Sequence, residues 1–219
     1  MTGGEPTRRV RIWDLPTRIF HWLLVLLIPF MWWTAEEERL DLHIIGGTTI
    51  LGLLVFRLIW GLIGSSTARF ANFVKGPRGV LSYLSGRAVH VLGHNPLGGL
   101  SVLAMLGLLS LQVGLGLFAT DDDGLEEGPL AHLISLDAAE EVADLHEDLF
   151  DVLLVLIGVH VAAILFYALV QRKNLVGPMI GGSGDAPENA APMEPAGPGR
   201  FLIAFAIAAG VALFIRSLG

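Results

Sequence analysis

His21, His43, His146 and His160 each lie within or at the mouth of a long apolar stretch. An ionisable side chain at membrane depth is costly and marks a functional site by default. His146 and His160 are fourteen residues apart on what reads as one helix. Fourteen steps of about 100° return to within roughly 40° of the starting face and climb about 21 Å. The two imidazoles therefore share a stripe, one toward each membrane surface. Two stacked cofactors need that arrangement, and each then needs a second ligand at the same depth from another helix. A single intramembrane histidine is as readily explained by a hydrogen bond to a neighbouring helix. Four of them with this spacing favour haem iron ligation.

The chain has no cysteine. Disulfides, thiolate metal sites, iron–sulfur clusters and covalent haem attachment are thereby excluded. Any metal or haem must hang on His, Met, Tyr, carboxylates or backbone.

Arg57 lies fourteen residues after His43 and so shares its helix face, about 21 Å deeper. One reading is a partner for a haem propionate. The other is snorkelling to the membrane surface, where Trp60 sits at an interfacial position. The third apolar segment has no mid-membrane histidine but carries Gly98, Gly99, Gly107, Gly114 and Gly116. Those glycines suit close helix packing or close approach to a flat macrocycle. Gln112 could bond a quinone or a neighbouring helix. His90 and His132 fall in loops and read as solvated. His94 opens the third segment, as an N-cap, a surface residue, or a group near the inner cofactor or a quinone headgroup.

These side chains need helices to position them. Of 219 residues, 53% are hydrophobic and 16% charged, which is too apolar for an ordinary soluble domain. Uncharged runs occur at Ile19–Trp33, Leu97–Thr120, Val152–Val170 and Phe201–Ile215, and Ile44–Ile63 is broken only by Arg57. A spanning helix takes about 20 apolar residues. The runs lack the alternation of barrel strands, and lipid offers the backbone no partners, so helices are expected. The last run is short, at about 22 Å of helix. It has no polar face and reads as a span, with lying in the interface as the alternative. Gly181–Gly199, rich in Gly, Pro, Ala and Ser, reads as a flexible linker.

Charge orients the spans. Arg8, Arg9, Arg11 and Arg18 precede the first; Arg69, Lys75, Arg78 and Arg87 lie between the second and third; Arg172 and Lys173 follow the fourth. The other connections are acidic: Glu36, Glu37, Glu38 and Asp41 against Arg39, and a stretch from Asp121 to Asp148 without Lys or Arg. The positive-inside rule puts the N-terminus in the cytoplasm and the acidic loops outside. The N-terminus lacks a small-residue cleavage site before Trp33 and reads as a retained helix rather than a signal peptide. Helix directions then pair His21 with His160 toward the inside and His43 with His146 toward the outside. Bis-histidine iron leaves no position open for oxygen and suits electron transfer.

Trp13-Asp14-Leu15-Pro16-Thr17-Arg18-Ile19-Phe20-His21-Trp22 resembles the opening of bacterial cytochrome b561-type proteins, relatives of the cytochrome b subunits of nickel-dependent hydrogenases. Phe56-Arg57-Leu58-Ile59-Trp60-Gly61, Gly93-His94-Asn95-Pro96-Leu97-Gly98-Gly99, and Asn174-Leu175-Val176 before Met179 are further matching stretches. The resemblance covers about residues 8–182. It implies a four-helix bundle with two b haems and a quinone-reactive site, with ligands on the first, second and fourth helices that map onto His21, His43, His146 and His160. The expected fold is therefore all-α and integral to the membrane. A dihaem four-helix unit spans residues 1–182, a linker 183–199, and a fifth hydrophobic helix 200–219.

The expected function is electron transfer between a periplasmic redox protein (a basic c-type cytochrome, or a dehydrogenase or hydrogenase subunit) and membrane quinone such as ubiquinone. The expected location is the bacterial inner membrane, and no nucleic-acid partner is expected. A superoxide:ubiquinone oxidoreductase is the alternative, and a non-redox scaffold the third. Superoxide is an anion and gains from a positive outer surface. The outer loops here are acidic, which favours a protein partner with a basic docking patch.

Overall fold

A computed structural model describes residues 7–85, 92–121, 127–188 and 190–219. His90, Arg87, Asp122, Asp123 and Glu126 lie outside the described residues. The helices are α1 (Leu15–Glu36), α2 (Leu40–Ile63), the short α3 (Phe70–Phe73) and α4 (Pro77–Leu84), α5 (Pro96–Gly116), α6 (Leu136–Leu169), the short α7 (Val176–Gly181) and α8 (Pro198–Arg216). Strand β1 (Thr7–Arg11) pairs antiparallel with β2 (Ser183–Pro187), Thr7 opposite Pro187 and Arg11 opposite Ser183.

Among the described residues, five helices are long and apolar enough to cross a membrane: α1, α2, α5, α6 and α8. Their outer faces carry large apolar side chains with no protein cover, such as Leu26 at 69%, Leu62 at 71% and Leu169 at 76% exposed. Water does not tolerate apolar surface on that scale, and lipid does. The inward faces meet in a core of Phe20, Ile50, Leu54, Leu106, Leu109, Val113 and Leu153.

Local chemistry sets where the helices begin. The Asp14 carboxylate accepts from the Thr17 N–H at 2.8 Å and caps α1. The Asn95 side chain accepts from the Gly98 N–H at 2.7 Å and caps α5, with Pro96 next in line. Each cap satisfies a backbone donor that the helix leaves open. The N-cap of α5 is therefore Asn95 and not His94.

The helix α6 is longer than its apolar run. Its 34 residues start at Leu136, sixteen before Val152. At about 1.5 Å per residue it is about 51 Å long, against a hydrocarbon core of about 30 Å. The excess lies in the first turns, which hold Asp137, Glu140, Glu141 and Asp144. Those carboxylates stand on the first turns of α6 rather than in a loop.

The bundle has a basic and an acidic end. At the basic end the Ile12 and Trp13 N–H groups donate to the Gly182 carbonyl at 2.8 and 3.1 Å. Gly182 takes a left-handed φ of 82°, and a Cβ there would meet the Trp13 carbonyl oxygen at 3.1 Å, so glycine suits the position. The segment expected to be a flexible linker is tied down along its length. It pairs as β2, and the Glu194 N–H donates to Ser66 Oγ at 2.9 Å while Arg69 Nη2 lies 3.6 Å from the Glu194 carboxylate.

α8 then runs back along α2. Phe56 and Trp60 of α2 pack with Phe201, Ala204 and Ala208. Further along, a Cβ on Gly52 would meet the Ala212 Cβ at 3.1 Å. Beyond the helix, Gly219 packs against Pro129 at the acidic end. With its flanks α8 has 19 residues, or about 28 Å, and it reaches from one end of the bundle to the other.

Candidate haem site

Near the acidic end, His43 of α2 and His146 of α6 come together with ring centroids 6.1 Å apart and planes at 78°. Two imidazoles at this separation would hold a haem iron between them. Each ring is oriented by a backbone carbonyl. His43 Nδ1 lies 3.2 Å from the Met31 carbonyl oxygen and 3.1 Å from Thr34 Oγ1, whose own hydroxyl donates to that carbonyl at 2.9 Å. His146 Nδ1 lies 2.9 Å from the Gln112 carbonyl oxygen. A carbonyl only accepts, so both Nδ1 atoms carry the proton, and both Nε2 lone pairs are left to ligate. Such a bond to the distal nitrogen is the usual device for aiming a metal-ligating imidazole.

Glycine makes room for one of these rings. A Cβ on Gly116 would meet His146 Cε1 at 2.8 Å. Gln112, open between quinone and helix partner on sequence, has a helix partner: its Nε2 donates to the His146 carbonyl at 2.8 Å. Met31, Thr34 and Gln112 orient the two imidazoles, and sequence alone gave no role to Met31 or Thr34. Only Gln112 carried a signal, as a polar side chain inside an apolar run.

Toward the basic end lie His21 of α1 and His160 of α6. His21 Nδ1 is sealed from solvent and has no hydrogen-bond partner. Arg57 does not snorkel. It is 3% exposed, its guanidinium lies over the Phe70 ring at 4.7 Å, and its Nη1 is buried without a partner. Trp60 is not interfacial either. It is 2% exposed, and its indole N–H donates to Asp14 Oδ2 at 2.8 Å.

His94, outside the spans, joins this end. Its ring packs against Trp13 at 4.6 Å and against Phe73 at 4.7 Å, centroid to centroid. Burial, then the charges of Arg57, His160 and His21, pushes its imidazole down to about 3. His132 is exposed in a 3-10 turn, Ala131–Leu133, as expected for a solvated loop residue.

A family model described as prokaryotic cytochrome b561 matches residues 12–182. The chain belongs to the prokaryotic cytochrome b561 family. It is a multi-pass membrane b-type cytochrome with a role in electron transport, and haem b is its cofactor. No curated protein and no solved structure matches the chain.

The residues present fit haem b. Among the described residues no three His, Cys, Asp or Glu side chains converge as a metal cage. A porphyrin supplies four nitrogens itself and asks the protein for only one or two axial ligands, which paired imidazoles provide. Its propionates ask for cations, and Arg57 has a buried N–H to give. The match runs from Ile12 to Gly182, so β1, β2, the tether around Glu194 and α8 lie outside the matched region.

Proposed function

We propose that the cytochrome binds two b haems and carries electrons between a redox protein at the acidic face and quinone in the membrane. Residues 1–182 form the dihaem unit, and α8 is an accessory span. His43 and His146 hold one haem and His21 and His160 the other, with Arg57 meeting a propionate of the second. The basic end lies in the cytoplasm, by the positive-inside rule, and the membrane is the bacterial inner membrane.

The observation that carries this reading is the His43–His146 pair, with each Nδ1 bound to a carbonyl and each Nε2 left to ligate. The fourteen-residue step from His146 to His160 sets up a second such level. Bound haem supplies reversible one-electron uptake at its iron. The chain's own residues aim the ligands, exclude water through the apolar core and set the local charge.

An acidic recess of about 340 Å³, lined by Thr120, Asp121, Glu140, Ala143 and Asp144, opens at the outer end of α6. It favours a basic protein partner, a c-type cytochrome or dehydrogenase subunit, over superoxide, which its charge repels. Haem per protein by pyridine haemochrome tests the scheme. His146→Ala should lose the outer haem alone and His160→Ala the inner alone. Two haems of unchanged potential in either variant would overturn it.

A further inference from the structure

His94 belongs to none of the ligand pairs, yet it sits in a built site. Its Nδ1 is sealed from solvent and has no hydrogen-bond partner, and the same holds for Arg57 Nη1. A continuous aromatic frame links the two. His94 lies against Phe73, Phe73 meets Phe70 at 5.8 Å, and Arg57 lies over the Phe70 ring. Trp13 also packs against the imidazole, at 4.6 Å between ring centroids.

Glycines press this frame together. A Cβ on Gly99 would meet the Phe73 carbonyl oxygen at 2.9 Å, and one on Gly61 would run into the Phe70 ring. Gly93, at a φ of 96°, sets the backbone that delivers His94 into the frame. The imidazole packs against two aromatic rings, Trp13 and Phe73.

Buried donors left unpaired are costly, and a guanidinium N–H is the costliest kind. The carboxylate close by is Asp14, whose two oxygens already accept from the Thr17 N–H and the Trp60 indole N–H. Arg57 Nη1 lacks an acceptor, and an anion with more than one lone pair would serve it and an imidazole N–H together. His21 and His160 both lie near enough for their charges to be felt at His94.

We propose that His94 and Arg57 together form the seat for a propionate carboxylate of the inner haem, which makes His94 a cofactor-positioning residue. The proposal rests on the dihaem reading above. The imidazole N–H gives one hydrogen bond to the carboxylate and the guanidinium a second, charge-assisted one. The frame that holds both donors also fixes the depth at which the haem sits between its ligands.

Two substitutions test it, His94→Leu and His94→Gln, in the full-length holo-cytochrome. The first removes the donor and the second keeps an N–H at similar reach. In His94→Leu the inner haem should show a shifted propionate bending band by resonance Raman. It should also have a lowered midpoint potential and be lost faster on detergent washing. The outer haem in the same sample should keep its spectrum, which reports that the bundle is folded. His94→Gln should restore the band and the retention. Wild-type bands and potentials for both haems in His94→Leu would overturn the proposal. So would loss of both haems together, which marks a structural role. A propionate band that followed added inorganic phosphate or lipid exchange instead of the His94 substitution would also overturn it, by making the seat a phosphate site. Failure of the dihaem reading would show separately, as a wild-type protein with a single haem.

Discussion

His146 and Gln112 hold each other by reciprocal hydrogen bonds. The His146 imidazole N–H donates to the Gln112 carbonyl at 2.9 Å, and the Gln112 amide donates to the His146 carbonyl at 2.8 Å. The first bond aims the ring, and the second locks α6 to α5 at the same height. Gly116, one turn on from Gln112, leaves the ring its space. α5 itself contains no histidine, yet it decides where the His146 ring points.

Gly116→Ala should therefore disturb the outer haem. Its Cβ would lie 2.8 Å from the His146 ring, and overpacking of that kind costs about 1–3 kcal/mol. The low-spin EPR signal of the outer haem should shift and its retention fall, with the inner haem unchanged. Gly107→Ala is the control, because nothing lies within 4 Å of a Cβ there. Equal effects from both would remove the steric explanation.

Arg57→Leu should lower the midpoint potential of the inner haem. Reduction adds negative charge, and a nearby buried cation favours the reduced form. Arg57→Lys should recover part of the shift, because it keeps the charge and loses the planar fork. Potentiometric titration reads both. A larger shift at the outer haem would contradict the depth assigned to Arg57.

Trp60→Phe should destabilise the bundle without touching either haem's spectrum. It strips the indole donor from Asp14 Oδ2, and a buried hydrogen bond to a charged group is worth about 1.5–3 kcal/mol. Asp14→Ala should cost more, since it also removes the cap of α1. Denaturation in mixed detergent, followed by tryptophan fluorescence and Soret absorbance, gives the ranking.

The fifth helix is expected to matter for stability alone. Ala208 is 4% exposed beneath α2, and Ala208→Leu should cost about 1–3 kcal/mol by overpacking. Ile207→Leu, on the 48% exposed face toward lipid, should be neutral. Haem content should be unchanged in both, measured beside thermal unfolding.

Neutralising the acidic recess should slow a basic donor. With Asp121→Asn, Glu140→Gln and Asp144→Asn combined, stopped-flow exchange with a basic c-type cytochrome should slow at low salt. It should match wild type at high salt, because screening shortens to about 8 Å at physiological ionic strength. Haem spectra should be unaffected. A fast, salt-independent reaction of wild type with superoxide, beside a slow one with the cytochrome, would promote the superoxide reading.

Much of this was legible in the chain, because hydropathy and helical period are local properties. The apolar runs located the spans, and the fourteen-residue step put His146 and His160 on one stripe of a single helix. Helix directions also placed His43 beside His146, and the structure brings those two rings to 6.1 Å. What the sequence could not determine rests on contacts between residues far apart in the chain. The bond from Trp60 to Asp14 spans 46 positions and that from Gln112 to His146 spans 34. Arg57 read equally as buried or snorkelling, and only Phe70, folded over it by the turn after α2, decided for burial. The Gly- and Pro-rich stretch after α7 read as loose because its own composition offers no structure. It is ordered by β1 and Ser66, more than a hundred residues earlier in the chain. Local sequence states which side chains reach membrane depth, whereas the orientation and charge partner of each depend on which helix lies beside it.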